Sequence, residues 1–161
     1  MVDWILKDDP KTILDPAFGL GIFYDLTKKF HKFNQFNYRG YEIDPKIISF
    51  LNMNGESNLN IKISDYLEAE SSKYDAIICN PPYMRFQNFL QRHNVLPIIE
   101  QKIGRKLLGY SNISSVFLVK ALNELEEAGR LAFIMPLEFF NAGYGSEIKK
   151  YLLNKGLLKQ I

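Results

Sequence analysis

Five short segments, at residues 12–14, 38–43, 60–63, 74–79 and 131–135, each read as a strand, and each of the first four stops at a turn sequence. Between them lie stretches with helical spacing. Residues 22–33 carry Ile22, Phe23, Leu26, Phe30 and Phe33 on one face. Lys46–Met53 follows Asp44-Pro45, and proline suits a first helical turn. Ser114–Glu127 places Phe117, Leu118, Ala121, Leu122 and Leu125 together, with Gly129 as its stop. Glu147–Leu153 reads as a further helix, and Trp4 as part of a helix packed on the sheet. Strands alternating with helices imply a parallel sheet covered on both faces. The expected architecture is therefore an α/β, doubly wound, Rossmann-like sheet in one domain.

Composition narrows the classes without choosing among them. A chain of 161 residues with 47% hydrophobic residues, 12 Phe and 9 Tyr has ample apolar surface to bury, which argues against disorder. One cysteine excludes a disulfide framework and fits a reducing compartment. No run approaches the roughly 18–20 apolar residues that span a bilayer. Asp3, Asp8 and Asp9 speak against a signal peptide at the start of the chain. A net charge of +2 is too small to mark a generic polyanion binder. Function must come from local sites.

In a doubly wound sheet, ligands bind outside the carboxyl ends of the strands, at the switch point. The unusual residues of the first half all fall at such ends. After the first strand comes Asp15-Pro16-Ala17-Phe18-Gly19-Leu20-Gly21, where glycines let a ligand approach the backbone. After the second comes Glu42, placed to accept from both hydroxyls of a ribose. After the third comes Asp65-Tyr66, an acceptor for an exocyclic amine beside an aromatic face. Singly, these read as a turn, a solvated carboxylate and a helix cap. Jointly, at the spacing of successive strand–helix units, they describe a pocket for an adenosine. There is no Gly-Lys-Ser/Thr, which excludes a phosphate-cradling loop, and Tyr24 stands where a dinucleotide fingerprint needs its third glycine. A nucleoside ligand without phosphate fits better, and S-adenosylmethionine is the common one.

The most specific feature is Asn80-Pro81-Pro82-Tyr83, at the end of the fourth strand. With it the chain resembles the N6-adenine-specific DNA methyltransferases of the γ arrangement, found in type II restriction-modification systems. DPAFGLGIF resembles motif I of that family, GYEIDP motif II, SDYL motif III and NPPY motif IV. SNISSVFLVKALNEL and GRLAFIMPLEFFNAGYG resemble motifs V and VI, so the likeness covers essentially the whole chain. Leu20 departs from the family, which usually has a small residue there.

The resemblance implies S-adenosylmethionine as cofactor, with Asp15, Pro16, Ala17, Phe18, Gly19 and Gly21 on its methionine side. Glu42 would hold the ribose, Ile43 would pack on the adenine ring, and Asp65 would accept from the cofactor's amine with Tyr66 beside it. The implied chemistry suits the tetrad. An adenine amino lone pair is delocalised into the ring, so N6 is a poor nucleophile. Acceptance of its two N–H bonds by the Asn80 side-chain oxygen and the Pro81 carbonyl would localise that pair toward the methyl group. Pro81 and Pro82 stiffen the backbone and carry no competing N–H. Tyr83 would stack on a base flipped out of double-stranded DNA.

Between Tyr83 and Asn112 the chain collects Arg85, Arg92, Lys102, Arg105 and Lys106 against Glu100 alone. This is either a solvated insertion or a DNA-facing loop whose cations displace counterions from phosphates. Cys79 reads as packing within a strand, and the isolated His31 and His93 as unsuited to metal binding.

The family also implies parts not visible here. A motif X segment beginning Thr-Pro would precede motif I, yet only Met1–Lys7 stands there. The final antiparallel hairpin and the target-recognition domain would come after Lys159–Ile161. The sequence thus reads as a catalytic core, residues 1–161, cut at both ends and with an incomplete sheet. The same likeness implies a restriction endonuclease, as partner or fused domain, and a bacterial or archaeal cytoplasm. Transfer to a protein glutamine amide or an RNA base amine remains open, as does a fragment that binds cofactor without activity. The DPAFGLG and IMPLEFFNAGYG stretches favour the DNA enzymes over the glutamine ones.

Overall fold

In the computed structural model, residues 1–30, 36–53, 60–84, 97, 100–101, 112–136, 139, 143–154 and 156–159 are described. Five strands form one parallel sheet. They are β1 (Thr12–Asp15), β2 (Asn37–Glu42), β3 (Ile61–Ile63), β4 (Tyr74–Cys79) and β5 (Leu125–Phe133), in the order β3-β2-β1-β4-β5. β1 pairs with both β2 and β4, so the strand order reverses at β1. That reversal is the switch point of a doubly wound sheet, and the crevice outside the β1 and β4 carboxyl ends is where such sheets bind ligands.

The helices are α1 (Val2–Ile5), α2 (Ile22–Lys28), α3 (Pro45–Met53), α4 (Ile113–Glu124) and α5 (Gly143–Asn154). Among the described residues, no helix is long and apolar enough to cross a membrane. The chain forms two compact units, Met1–Pro81 with Ala121–Ile134, and Pro82–Lys120 with Met135–Ile161.

The first unit holds the sheet. Ile13, Ala76 and Ile78 point to one face and join Val2, Ile5, Phe18, Phe23, Tyr38, Leu51 and Ala132 in a single apolar cluster. Leu14 and Ile77, their neighbours in the chain, point the other way by strand alternation and are equally buried. Strands buried on both faces explain why β1 and β4 read as continuous apolar runs. Trp4 packs at the margin of the cluster, as its helical context suggests, with the Arg130 guanidinium 4.4 Å from its ring.

The amino end of β1 is clamped by Asp75 of β4. One carboxylate oxygen accepts from the amides of Lys11 (3.0 Å) and Thr12 (2.9 Å) and from the Thr12 hydroxyl (2.9 Å). Burial pushes the Asp75 carboxyl up, but these bonds outweigh it and hold the group below its ordinary value.

One boundary differs from expectation. In the sequence the α4 periodicity runs on to Glu127, with a strand only from Leu131. In the structure α4 ends at Glu124, and Leu125 already pairs with Tyr74. The register then slips before Ala76 meets Arg130, so Glu126–Gly129 bulge out of the ladder. Gly129 therefore serves close approach, not a helix cap: a Cβ there would sit 2.9 Å from the Asp75 carbonyl oxygen.

In the second unit the described residues include Tyr83, Met84, the start of α4, and α5. Asn112 caps α4 through its side-chain oxygen, which accepts the Ser114 amide at 3.2 Å. The amide of Ile113, between them, donates to the carbonyl of Met84 at 3.1 Å. α5 begins earlier than its apolar spacing suggests and buries Ile148 and Leu152.

Candidate functional site

The site is built from the segments that leave β1, β2, β3 and β4 at their carboxyl ends. Asp15 closes β1 and is fully buried. Its Oδ1 accepts the Ala17 amide (3.3 Å), and its Oδ2 accepts the Tyr38 hydroxyl (3.3 Å). Burial pushes the carboxyl up to about 7, the two hydrogen bonds oppose the rise, and the nearby Glu42 charge adds to it. Beyond Pro16, which is buried, and Ala17, which is partly so, Phe18 turns inward at 3% exposure. Its amide donates to the Tyr41 carbonyl at 2.9 Å, which ties the loop to β2.

Two glycines give the loop its shape. Gly19 and Gly21 have φ of 55° and 79°, in the left-handed region that favours glycine. A Cβ on Gly21 would lie 2.9 Å from the Phe18 ring, so this glycine is required by packing as well. A Cβ on Gly19 would meet nothing within 4 Å, so its backbone borders open space. The loop presents bare main chain there, and Leu20 beside it is 63% exposed.

Glu42 ends β2 and reaches across to this loop. Its Oε2 accepts the Gly19 amide at 2.9 Å, and its Oε1 accepts the Asp44 amide at 2.9 Å. The carboxylate is thereby held at both oxygens beside the open space at Gly19. Ile43, the next residue, is 66% exposed. After β3, Asp65 is partly buried and accepts the Leu67 amide on Oδ1 at 2.8 Å. Tyr66 is turned inward instead of lying open beside a ligand. It is 2% exposed, its ring packs against Tyr41 at 5.5 Å, and its hydroxyl donates to Glu124 Oε2 at 2.7 Å.

β4 brings Asn80 and Pro81 to the same edge of the sheet. Leu14 pairs with Ile77 across β1 and β4, so the glycine loop and Asn80-Pro81 leave adjacent strands in the same direction. The Ile134 amide donates to the Cys79 carbonyl at 2.9 Å, which fixes the peptide just before Asn80. Asn80 is exposed at the rim, whereas Pro81 is buried and anchors it. Pro82 and Tyr83 open the second unit, and Tyr83 is 50% exposed. Cys79 is fully buried, and burial, with the Asp15 charge second, pushes its thiol well up, so it stays protonated packing.

Of the residues singled out from sequence, Gly19 and Glu42 are joined directly, and Asp15 and Phe18 are linked to them through Tyr38, Tyr41 and the loop. Arg85, Arg92, Lys102, Arg105, Lys106, His31 and His93 lie outside the described residues. Sequence reasoning missed Tyr38 and Glu124. Glu124 left a signal, since it falls in helical register with Phe117 and Ala121 on a face otherwise apolar.

The chain has relatives among known proteins. The family described as Eco57I restriction-modification methylase matches residues 24–161. The type II methyltransferase M.AccI of Acinetobacter calcoaceticus is 38% identical over 165 residues, which cover 100% of this chain and 30% of that protein. The type II methyltransferase M.HincII of Haemophilus influenzae is 31% identical over 164 residues, covering 100% and 30%. The chain thus spans 30% of the length of each of these relatives. In fold, it resembles the methyltransferase subunit of a type I restriction-modification system from Streptococcus thermophilus. That match has a TM-score of 0.72 at 18% identity, over 96% of this chain and 36% of the other. The plantazolicin methyltransferase BpumL, solved with SAH, matches with a TM-score of 0.51 at 15% identity, over 96% and 58%.

Proposed function

Because the chain belongs to the Eco57I restriction-modification methylase family, we propose that it is the catalytic core of an enzyme that methylates N6 of adenine in DNA. The observation that carries this reading is the adjacency of β1 and β4, which puts the glycine loop and Asn80-Pro81 side by side at the switch point.

The residues present fit S-adenosylmethionine on grounds internal to the site. The backbone at Gly19 borders open space, a buried carboxyl stands behind it, and Glu42 is held where a ribose edge would lie. When bound, the cofactor supplies a methyl group made electrophilic by its sulfonium. Asp15 would face the cationic methionine end, and a cation there would favour its ionised form. Glu42 retains lone pairs for the ribose hydroxyls while its two amide bonds keep it from rotating. Exposed Ile43 offers an apolar face to the adenine ring, and Asp65 accepts from the ring's amine.

For the target base, Asn80 Oδ1 and the Pro81 carbonyl accept the two amino hydrogens. Both acceptors are neutral and preorganised, so the amino lone pair localises without a strong base, and the surplus proton leaves to water after transfer. Tyr83, half exposed, stacks on the flipped base and recovers roughly 1–3 kcal/mol of the cost of unstacking it. Double-stranded DNA is accordingly the macromolecular partner, and a restriction endonuclease the functional one.

The test uses the polypeptide that carries this chain, a DNA substrate, and mass spectrometry of the digested nucleosides. Asn80→Ala is expected to cut N6-methyladenine formation by about 100-fold or more. Calorimetry on the same variant should show S-adenosylmethionine binding near the wild-type level. Near-normal methylation by Asn80→Ala would overturn the mechanism. N4-methylcytosine in place of N6-methyladenine would overturn the assignment of the base.

A further inference from the structure

We propose that Glu124 is a positioning residue for the adenine end of the cofactor site, acting through Tyr66 on the turn that presents Asp65. This role rests on Asp65 being the acceptor for the cofactor's amine, as in the proposed function.

β3 is a poor platform for a precise acceptor. It has three residues and, among the described residues, lies at the sheet edge and pairs with β2 alone. The turn after it is well formed internally: the Leu67 amide meets Asp65 Oδ1, the Glu68 amide meets the Asp65 carbonyl (3.2 Å), and the Ala69 amide meets the Tyr66 carbonyl (3.2 Å). Those bonds fix the turn's shape, and at its start the Ser64 amide donates to the Glu42 carbonyl of β2 (3.0 Å). Tyr66 adds the ties beyond that single bond. Its ring lies on Tyr41, whose carbonyl receives the Phe18 amide of the glycine loop. Its hydroxyl is held at 2.7 Å by Glu124, which closes α4 far along the chain.

Glu124 is a buried acid at a helix end. The residue is 2% exposed, and removing a carboxylate from water is costly. It also sits at the carboxyl end of a helix, where the macrodipole disfavours negative charge. Buried charges of this kind often add no net stability over an apolar replacement, and a fixed geometry is the better-attested return. Burial, reinforced by the Glu124 charge, pushes the Tyr66 hydroxyl well above its ordinary value, so it remains a donor at any pH of interest. The tether therefore holds the Asp65 turn in register with the Glu42 and Gly19 side of the site.

Titration calorimetry on the polypeptide that carries this chain, with two ligands, tests this. S-adenosylhomocysteine carries the exocyclic amine that Asp65 would accept, and its 6-oxo counterpart, S-inosylhomocysteine, does not. Wild type should prefer the amine by about tenfold or more, and Asp65→Asn should abolish that preference. Tyr66→Phe and Glu124→Gln should each weaken S-adenosylhomocysteine about five- to tenfold and leave the 6-oxo ligand within about twofold. The double variant Tyr66→Phe/Glu124→Leu removes both polar partners at once, which protects the fold, and should show the same loss of preference. Variants that weaken both ligands equally, or neither, would overturn the role of Glu124 while wild-type preference stands. A wild-type chain that binds neither ligand, or both alike, would overturn the cofactor reading itself, and the role of Glu124 with it.

Discussion

A carboxyl buried as completely as Asp15 keeps its proton into the neutral range, and that has a measurable consequence for the folded chain. Its folded value of about 7 lies above the ordinary 3.8. Below the ordinary value both folded and unfolded forms are protonated, and no ionisation cost arises. As pH rises from there to about 7 the unfolded form ionises first, so stability falls, and above 7 the full cost is present. That cost is on the order of 4 kcal/mol in the absence of a cationic ligand. Asp15→Asn should therefore melt well above wild type at pH 8 and close to it at pH 4 in thermal unfolding without ligand. Equal differences at both pH values would show that the group does not titrate as its burial implies.

At the scale of elements, the Asp75 clamp is the join on which the β1–β4 pair depends. Three donors converge on one oxygen, so Asp75→Ala leaves two amides and a hydroxyl in search of partners. A loss of about 2–3 kcal/mol is expected, read as a lower urea midpoint with an unchanged slope. A change below about 0.5 kcal/mol would show that water replaces the carboxylate without penalty. Asp75 stands inside an apolar run and shows nothing of this role in sequence, because its partners lie at the far end of the first strand. The strands themselves were legible wherever both faces are buried, since Ile13-Leu14 and Ala76–Cys79 form unbroken apolar runs. The α4–β5 boundary was not. Helical spacing continues through Leu125, and only pairing with Tyr74 draws that residue into the sheet. The candidate site divided in the same way. Its polar residues stood out where they close a strand, whereas Tyr38 sits inside β2 and Glu124 on the apolar face of α4.

At the scale of the whole molecule, a net charge of +2 conceals a local excess of cations between Tyr83 and Asn112. The chain spans 30% of the relatives it matches, and we expect its basic residues between Tyr83 and Asn112 to make general contact with phosphates. Footprinting of this chain on DNA should show no protected sequence. Filter binding should show weak affinity that declines steeply with salt, and neutralising Arg105 and Lys106 together should reduce the salt slope by about 2. A discrete footprint from these residues would place sequence reading inside the chain.

The hydrogen bond between the Ile113 amide and the Met84 carbonyl bears on how such a chain changes over time. It closes the base of everything between those residues, just after the tetrad, so the two flanks are stapled whatever the intervening length. Lengthening a closed excursion is inexpensive, about 0.6 kcal/mol for each doubling. Insertions and deletions there need not disturb Asn80 and Pro81. Met84 and Ile113 can thus keep their places while the number of residues between them changes.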